Sequence, residues 1–215
     1  MAHQALRILI ADHHDATRRG VREIVESSPD YRIIAEAADG RTALRVACET
    51  VPDIAILEQL LPELNGLDLA HLLKRTFPNI EILLLTAQDN HEFFGDVLEA
   101  GVRSIVQKSD TDSHLLPALR ALANHRPYFY GEISQTLVTD FMENRPHRGA
   151  HSLTHREREI VQQIAEGRIN REMAERLHIS IKTVETHRAR AMHKLKLRTT
   201  ADLVRFAIRN NIIQP

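Results

Sequence analysis

The chain has no tryptophan and one cysteine among its 215 residues, and aromatic side chains make up only 4% of it. A single thiol excludes an internal disulfide framework and any zinc site built from cysteines alone. Cys48 is therefore expected as a buried structural thiol. Long apolar runs are missing too. None approaches the roughly 18 residues that a membrane span requires, and the N-terminal stretch reaches an acid at Asp12, too early for a secretory leader. A cytoplasmic protein without a membrane partner is the expectation. With 8 glycines, 8 prolines, 43% apolar and 27% charged residues, the chain can build a core and is too apolar to stay disordered.

Net charge is nearly absent as well, at -1, but that figure hides a division. From His151 onward there are 13 Lys+Arg against 7 Asp+Glu, a net of +6, which leaves -7 on the first 150 residues. A basic C-terminal part suits a polyanion, although a basic surface is also compatible with simple solvation. The expected organisation is residues 1–125, a linker over 126–150 and a second domain over 151–215. The linker contains an amphipathic stretch from Ile133 to Phe141 that suits a short helix.

Within the first part, five short apolar runs recur: Leu6 to Ala11, Tyr31 to Ala37, Asp53 to Leu57, Ile80 to Ala87 and Val102 to Gln107. Stretches of helical period separate them, and Gly40, Gly66 and Gly101 punctuate the boundaries. Alternating strands and helices specify an α/β fold, a doubly wound five-stranded parallel sheet covered on both faces. Ligands of such sheets sit beyond the carboxyl ends of the strands. Asp12, His13 and His14 follow the first strand, Glu58 ends the third, Thr86 the fourth, and Lys108 follows the fifth. Pro117 predicts that the helix after Lys108 begins near Leu115.

The stretches ILIADHH, PDIAILEQLLPELNGLDL, LLLTA and AGVRSIVQKSD resemble the receiver domain of bacterial two-component response regulators, over nearly all of residues 5–125. The resemblance implies a flavodoxin-like fold with a phosphate-accepting aspartate after the third strand and an acidic pair after the first that helps hold magnesium. It also implies a hydroxyl, a lysine and an aromatic switch residue. Thr86 and Lys108 match. The acceptor position holds Glu58, the acidic pair reads Asp12-His13, and the switch position holds Ile105. Magnesium prefers oxygen ligands in near-ideal octahedral geometry, so aspartyl-phosphate signalling is expected to be lost. Glu58 then either mimics a phosphorylated acceptor or neutralises Lys108. No cofactor and no metal are assigned: Asp12, His13, His14 and Glu58 offer donors suited to zinc, but adjacent histidines need not point the same way.

After His151 the pattern is helical. Thr154 and Glu157 form a capping-box signature ahead of Ile160, Val161 and Ile164. Asn170 is expected to cap a second helix bearing Met173, Ala174 and Leu177. Ser180 is expected to cap a long third helix with Val184, Ala191, Met192 and Leu195 inward, and a fourth runs from about Thr200 to Asn210. This all-α four-helix arrangement contains a helix-turn-helix. Residues 152–213 closely resemble the DNA-binding domain of the NarL/FixJ, or LuxR-type, regulators. The resemblance implies double-stranded promoter DNA as partner and a homodimer. Lys182, Glu185, Thr186, Ala189, Arg190 and His193 would face the major groove, and Arg188, Lys194 and Arg198 would join Lys182 at phosphates. Leu203, Phe206 and Ala207 would pair the dimer. The reading is a transcription regulator and not an enzyme. Its alternatives are a conventional phosphorelay regulator and a receiver that docks on a protein partner or sensor.

Overall fold

The computed structural model describes residues 4–87, 94–131, 134, 153–210 and 212–213. The receiver part runs β1 (Leu6–Ala11), α1 (Asp15–Glu26), β2 (Tyr31–Ala37), α2 (Gly40–Thr50), β3 (Ile54–Glu58), α3 (Gly66–Thr76), β4 (Glu81–Thr86), α4 (Phe94–Glu99), β5 (Ser104–Gln107) and α5 (Thr111–Ala123). All strands are parallel, in the order β2-β1-β3-β4-β5. Alternate residues of β1 feed the two faces. Leu9 and Ala11 pack with Ala43 and Ala47 of α2, Leu69 and Leu73 of α3 and Val97 of α4. Ile8 and Ile10 pack with Val21 and Val25 of α1 and Leu115, Leu119 and Leu122 of α5. Every residue of β3 and β4 is buried, which is why those strands read as unbroken apolar runs.

The order of strands reverses between β1 and β3, so their carboxyl ends border the crevice where ligands of such sheets collect. The β3–α3 loop folds tightly over it. A Cβ at residue 66 would stand 2.1 Å from the Glu58 carbonyl oxygen, so only glycine fits there. The Gly66 N–H donates to the Gln59 carbonyl at 2.8 Å, and the Asn65 side chain caps α3 by accepting from the Asp68 N–H.

The structure departs from two expectations. Cys48 is exposed: α2 turns Ala43 and Ala47 inward, and the next residue is rotated about 100° away from them. The helix after Lys108 begins at Thr111 and takes Pro117 inside it. Proline removes one backbone donor in the second turn, and the buried Leu115, Ala118, Leu119 and Leu122 hold the helix together regardless.

The C-terminal part consists of α6 (His155–Ala165), α7 (Asn170–Leu177), α8 (Ile181–Lys194) and α9 (Thr200–Arg209). Both sides of the Thr154–Glu157 capping box are present. Ser180 caps α8 by accepting from the Thr183 N–H. Asn170 is not a cap: it is the first residue of α7, and the Glu172 carboxylate accepts the Ile169 N–H instead. Ile160, Val161, Met173, Leu177, Val184, Ala191, Leu203 and Ala207 form the core. His178, at φ 51°, ends α7 in the left-handed region and starts the tight turn into α8. The linker stretch from Ile133 to Phe141 lies outside the described residues, Ser134 excepted.

Helix α6 rests on the β3–α3 loop. Gln162 is wholly buried there, accepting from the Asn65 N–H and donating to the Leu61 carbonyl, both at 2.9 Å. Around it Glu166 accepts the Glu63 N–H, Arg41 pairs with Glu159, Arg176 with Glu63, and His155 with Asp68.

Candidate functional sites: the receiver pocket and the recognition helix

The pocket is assembled from three strand ends. Asp12 follows β1 and is wholly buried, Glu58 ends β3 at 3% exposure, and Lys108 follows β5. The Lys108 ammonium lies 2.5 Å from Glu58 Oε1 and 2.7 Å from Asp12 Oδ2, bridging the two acids. The contact to Asp12 is out of line for a hydrogen bond, and Oδ2 accepts none of proper geometry. Glu58 Oε2 faces the other way. It accepts the backbone N–H of His13 at 3.1 Å and lies against His13 Nδ1. His14 donates its backbone N–H to Asp12 Oδ1 at 2.8 Å, and its Nδ1 stands 3.5 Å from the same oxygen.

Burial is the largest single influence on the titration of each acid, and it prevails only at Asp12. Burial pushes Asp12 above the usual carboxylate range, and the Glu58 charge adds to this against the pull of Lys108 and the His14 N–H. Burial would raise Glu58 as well, but Lys108 and His13 outweigh it and hold Glu58 below its ordinary value. The pair therefore has one firmly ionised carboxylate clamped between a cation and an imidazole.

Of the five residues expected at the pocket, Asp12, His13, Glu58 and Lys108 converge. Thr86 is buried at the end of β4 and donates to Gln59 Oε1 at 2.7 Å. Sequence reasoning missed Gln59. The signal was available, a second polar residue after the apolar run Ile54 to Leu57, but it was masked by its neighbour Glu58. Ile105 is wholly buried among the residues of α2, α3 and α4, so the switch position is core. A magnesium ion does not fit this donor set. Of the four side chains that offer donor atoms, Asp12, His13, His14 and Glu58, two are imidazoles, and Lys108 already holds one oxygen of each acid.

On α8, Val184 and Ala191 are buried and Met192 packs against the same core, which turns the other side of the helix outward. Lys182, Glu185, Thr186, Ala189, Arg190 and His193 are all exposed, as their spacing predicts. Two of the expected phosphate contacts have partners within the domain. Arg188 bonds Asn170 Oδ1 at 3.4 Å and Thr200 Oγ1 at 2.7 Å, and Lys194 bonds the buried Glu157 at 2.7 Å. The dimer positions also need correction. Leu203 and Ala207 are wholly buried one helical turn apart because they close α9 over the core, and Phe206 packs beside them. The outer apolar stripe of α9 is instead Ala201, Val204 and Ile208.

A parallel receiver sheet with an acid-lysine pocket, followed by a helix-turn-helix with an exposed polar face, defines a two-part regulator. The chain belongs to the response regulators of the LuxR family: residues 8–120 match the response regulator receiver domain and residues 151–207 the bacterial regulatory proteins of the luxR family. The oxygen regulatory protein NreC of Staphylococcus aureus is 32% identical over 216 residues, covering 97% of this chain and all of that one. A Salmonella typhimurium RcsB response regulator structure is 26% identical with a TM-score of 0.66, covering 94% of this chain and 96% of that one. A structure of an RcsB–DNA complex is 25% identical with a TM-score of 0.60, over 94% and 98%. Among the described residues no helix is long and apolar enough to cross a membrane.

Proposed function

We propose that this protein is a transcription regulator that binds double-stranded promoter DNA as a homodimer in the cytoplasm, and whose receiver is not switched by phosphorylation. The observation that carries the second half is the engagement of both Glu58 oxygens, one by Lys108 and one by His13. An in-line phosphoryl transfer needs a free oxygen, a divalent ion on the phosphoryl group and an open approach. Of the two roles open to Glu58, neutralising Lys108 fits these contacts better than mimicry. No enzymatic role is assigned to the pocket.

The DNA half rests on the exposed face of α8. Arg190 suits bidentate contact to guanine, Glu185 can accept from cytosine, and Lys182 and Arg198 suit phosphates. RcsB, a similar chain, is known in a complex with DNA and as two dimers bound to two parallel DNAs, which supports DNA binding as a dimer. The dimer is assigned to the Ala201, Val204 and Ile208 stripe. The boundaries 1–125, 126–150 and 151–215 are retained as the domain division. Incubation with acetyl phosphate and Mg2+ followed by mass spectrometry tests the receiver half. The expected outcome is an unmodified Glu58 peptide, and a phosphorylated one overturns the reading.

A further inference from the structure

The same four side chains that exclude magnesium have the composition of another kind of site. Asp12, His13, His14 and Glu58 each place one donor atom within 4.8 Å of the others. The two rings lie side by side, centroids 3.7 Å apart, with both Nδ1 atoms turned to the carboxylates. The objection that neighbouring histidines need not point together therefore falls. Their arrangement has a local cause: His14 precedes α1 and spends its backbone N–H on Asp12 Oδ1, while His13 spends its own on Glu58 Oε2.

We propose that Asp12, His13, His14 and Glu58 form a binding site for a borderline divalent ion, Zn2+ above all, at the receiver's strand ends. This deepens the reading of the pocket given above. The donors are two imidazole nitrogens and two carboxylate oxygens, the set that suits zinc and not a hard cation. Metal–donor bonds of about 2.0–2.2 Å place neighbouring donors of a tetrahedron roughly 3.4 Å apart. His14 Nδ1 is already 3.5 Å from Asp12 Oδ1, and Glu58 Oε2 lies against His13 Nδ1. Small side-chain rotations close the set.

The charges also suit a cation. Lys108 binds the far oxygen of each acid, Asp12 Oδ2 and Glu58 Oε1, and offsets one negative charge of the two. It acts as an outer partner that orients both ligands, as hydrogen-bonded groups behind metal-binding carboxylates do. Asp12 is wholly buried with its Oδ2 against the Lys108 ammonium at 2.7 Å, which leaves Oδ1 as the oxygen turned to His14. Access exists as well. His14 is half exposed, and His13 lines a cavity of about 300 Å³ shared with Leu61, Gln162 and Ile213.

The test is titration of the full-length protein with CoCl2, read by visible absorption, followed by competition with ZnCl2 and MgCl2. Wild type is expected to bind one equivalent of Co2+ with the intense visible bands of four-coordinate cobalt, to lose them to Zn2+ and to keep them in excess Mg2+. His14→Ala, at a half-exposed position that leaves the fold intact, should weaken binding by at least the roughly 10- to 100-fold known for losing a supporting group behind a ligand. His13→Gln should do the same, and His71→Ala, a histidine outside the pocket, should leave binding unchanged. Absence of the bands in wild type, or bands that survive both His13→Gln and His14→Ala, overturns the proposal. A parallel sample with acetyl phosphate and Mg2+ separates the two readings, because a cobalt-binding protein that is also phosphorylated contradicts only the function proposed above.

Discussion

Glu58 is one methylene longer than an aspartate, and that reach lets its two oxygens meet Lys108 and His13 at once. The identity of the pocket residues was legible because each sits at the end of an apolar strand. Their partners were not, since neither the convergence of His13 and His14 nor the position of Gln59 follows from spacing along the chain. Cys48 shows the complementary limit: residue type suggested burial, and helix phase decided otherwise. On the recognition helix the exposed Arg190 carries the residue-scale prediction. Arg190→Ala should cost about 1–3 kcal/mol of operator affinity and relax preference at one base pair, while Lys182→Ala should weaken all sequences alike and lower the salt dependence by about one ion. Fluorescence anisotropy over a salt series and a panel of single-base variants distinguishes them.

Elements were the most readable level, because strand length, helical period and cap residues are local properties of the chain. The capping box at Thr154 and Glu157 was visible as two letters three apart, and both of its hydrogen bonds form. What the letters did not show is that the same Glu157 carboxylate also takes Lys194 from the end of α8, tying the first helix of the domain to the recognition helix. Nor did they show that closing the core draws in Leu203 and Ala207 and leaves Val204 and Ile208 half-buried. Burial would raise the Glu157 carboxyl, but hydrogen bonds from Lys194 and Thr154 outweigh it and hold it below its ordinary value. A carboxyl whose native pKa is depressed binds its proton more readily in the unfolded chain. Its contribution is therefore complete above the unfolded value of about 4.3 and disappears as pH falls through the lower native value. Thermal unfolding followed from neutral to acidic pH should show the C-terminal domain losing stability in that window, and Glu157→Gln should flatten the loss.

For the whole molecule, the division into an acidic and a basic part was legible from charge, and the docking between them was not. The contact depends on Gln162, a residue whose helical position marks it as one side of α6 and whose partners lie about a hundred positions away. In the docked arrangement α6 covers the β3–α3 loop while the outward residues of α8 stay exposed, so docking does not bury the proposed DNA face. Gln162→Ala strands the Asn65 N–H and the Leu61 carbonyl, at a cost of about 1–3 kcal/mol for each buried group left unsatisfied. Small-angle scattering should report a more extended molecule for that variant, with the unfolding of the receiver itself little changed. If its dimensions match wild type, Gln162 does not hold the parts together.

The proposed DNA reader is expected to work without a phosphoryl switch, because Lys108 and His13 already occupy the oxygens of Glu58. The most direct measurement is the operator dissociation constant of the unmodified full-length protein, with and without acetyl phosphate and Mg2+. The same value is expected in both samples. A tightening of about tenfold or more, about 1.4 kcal/mol, that appears only with the phosphodonor contradicts it.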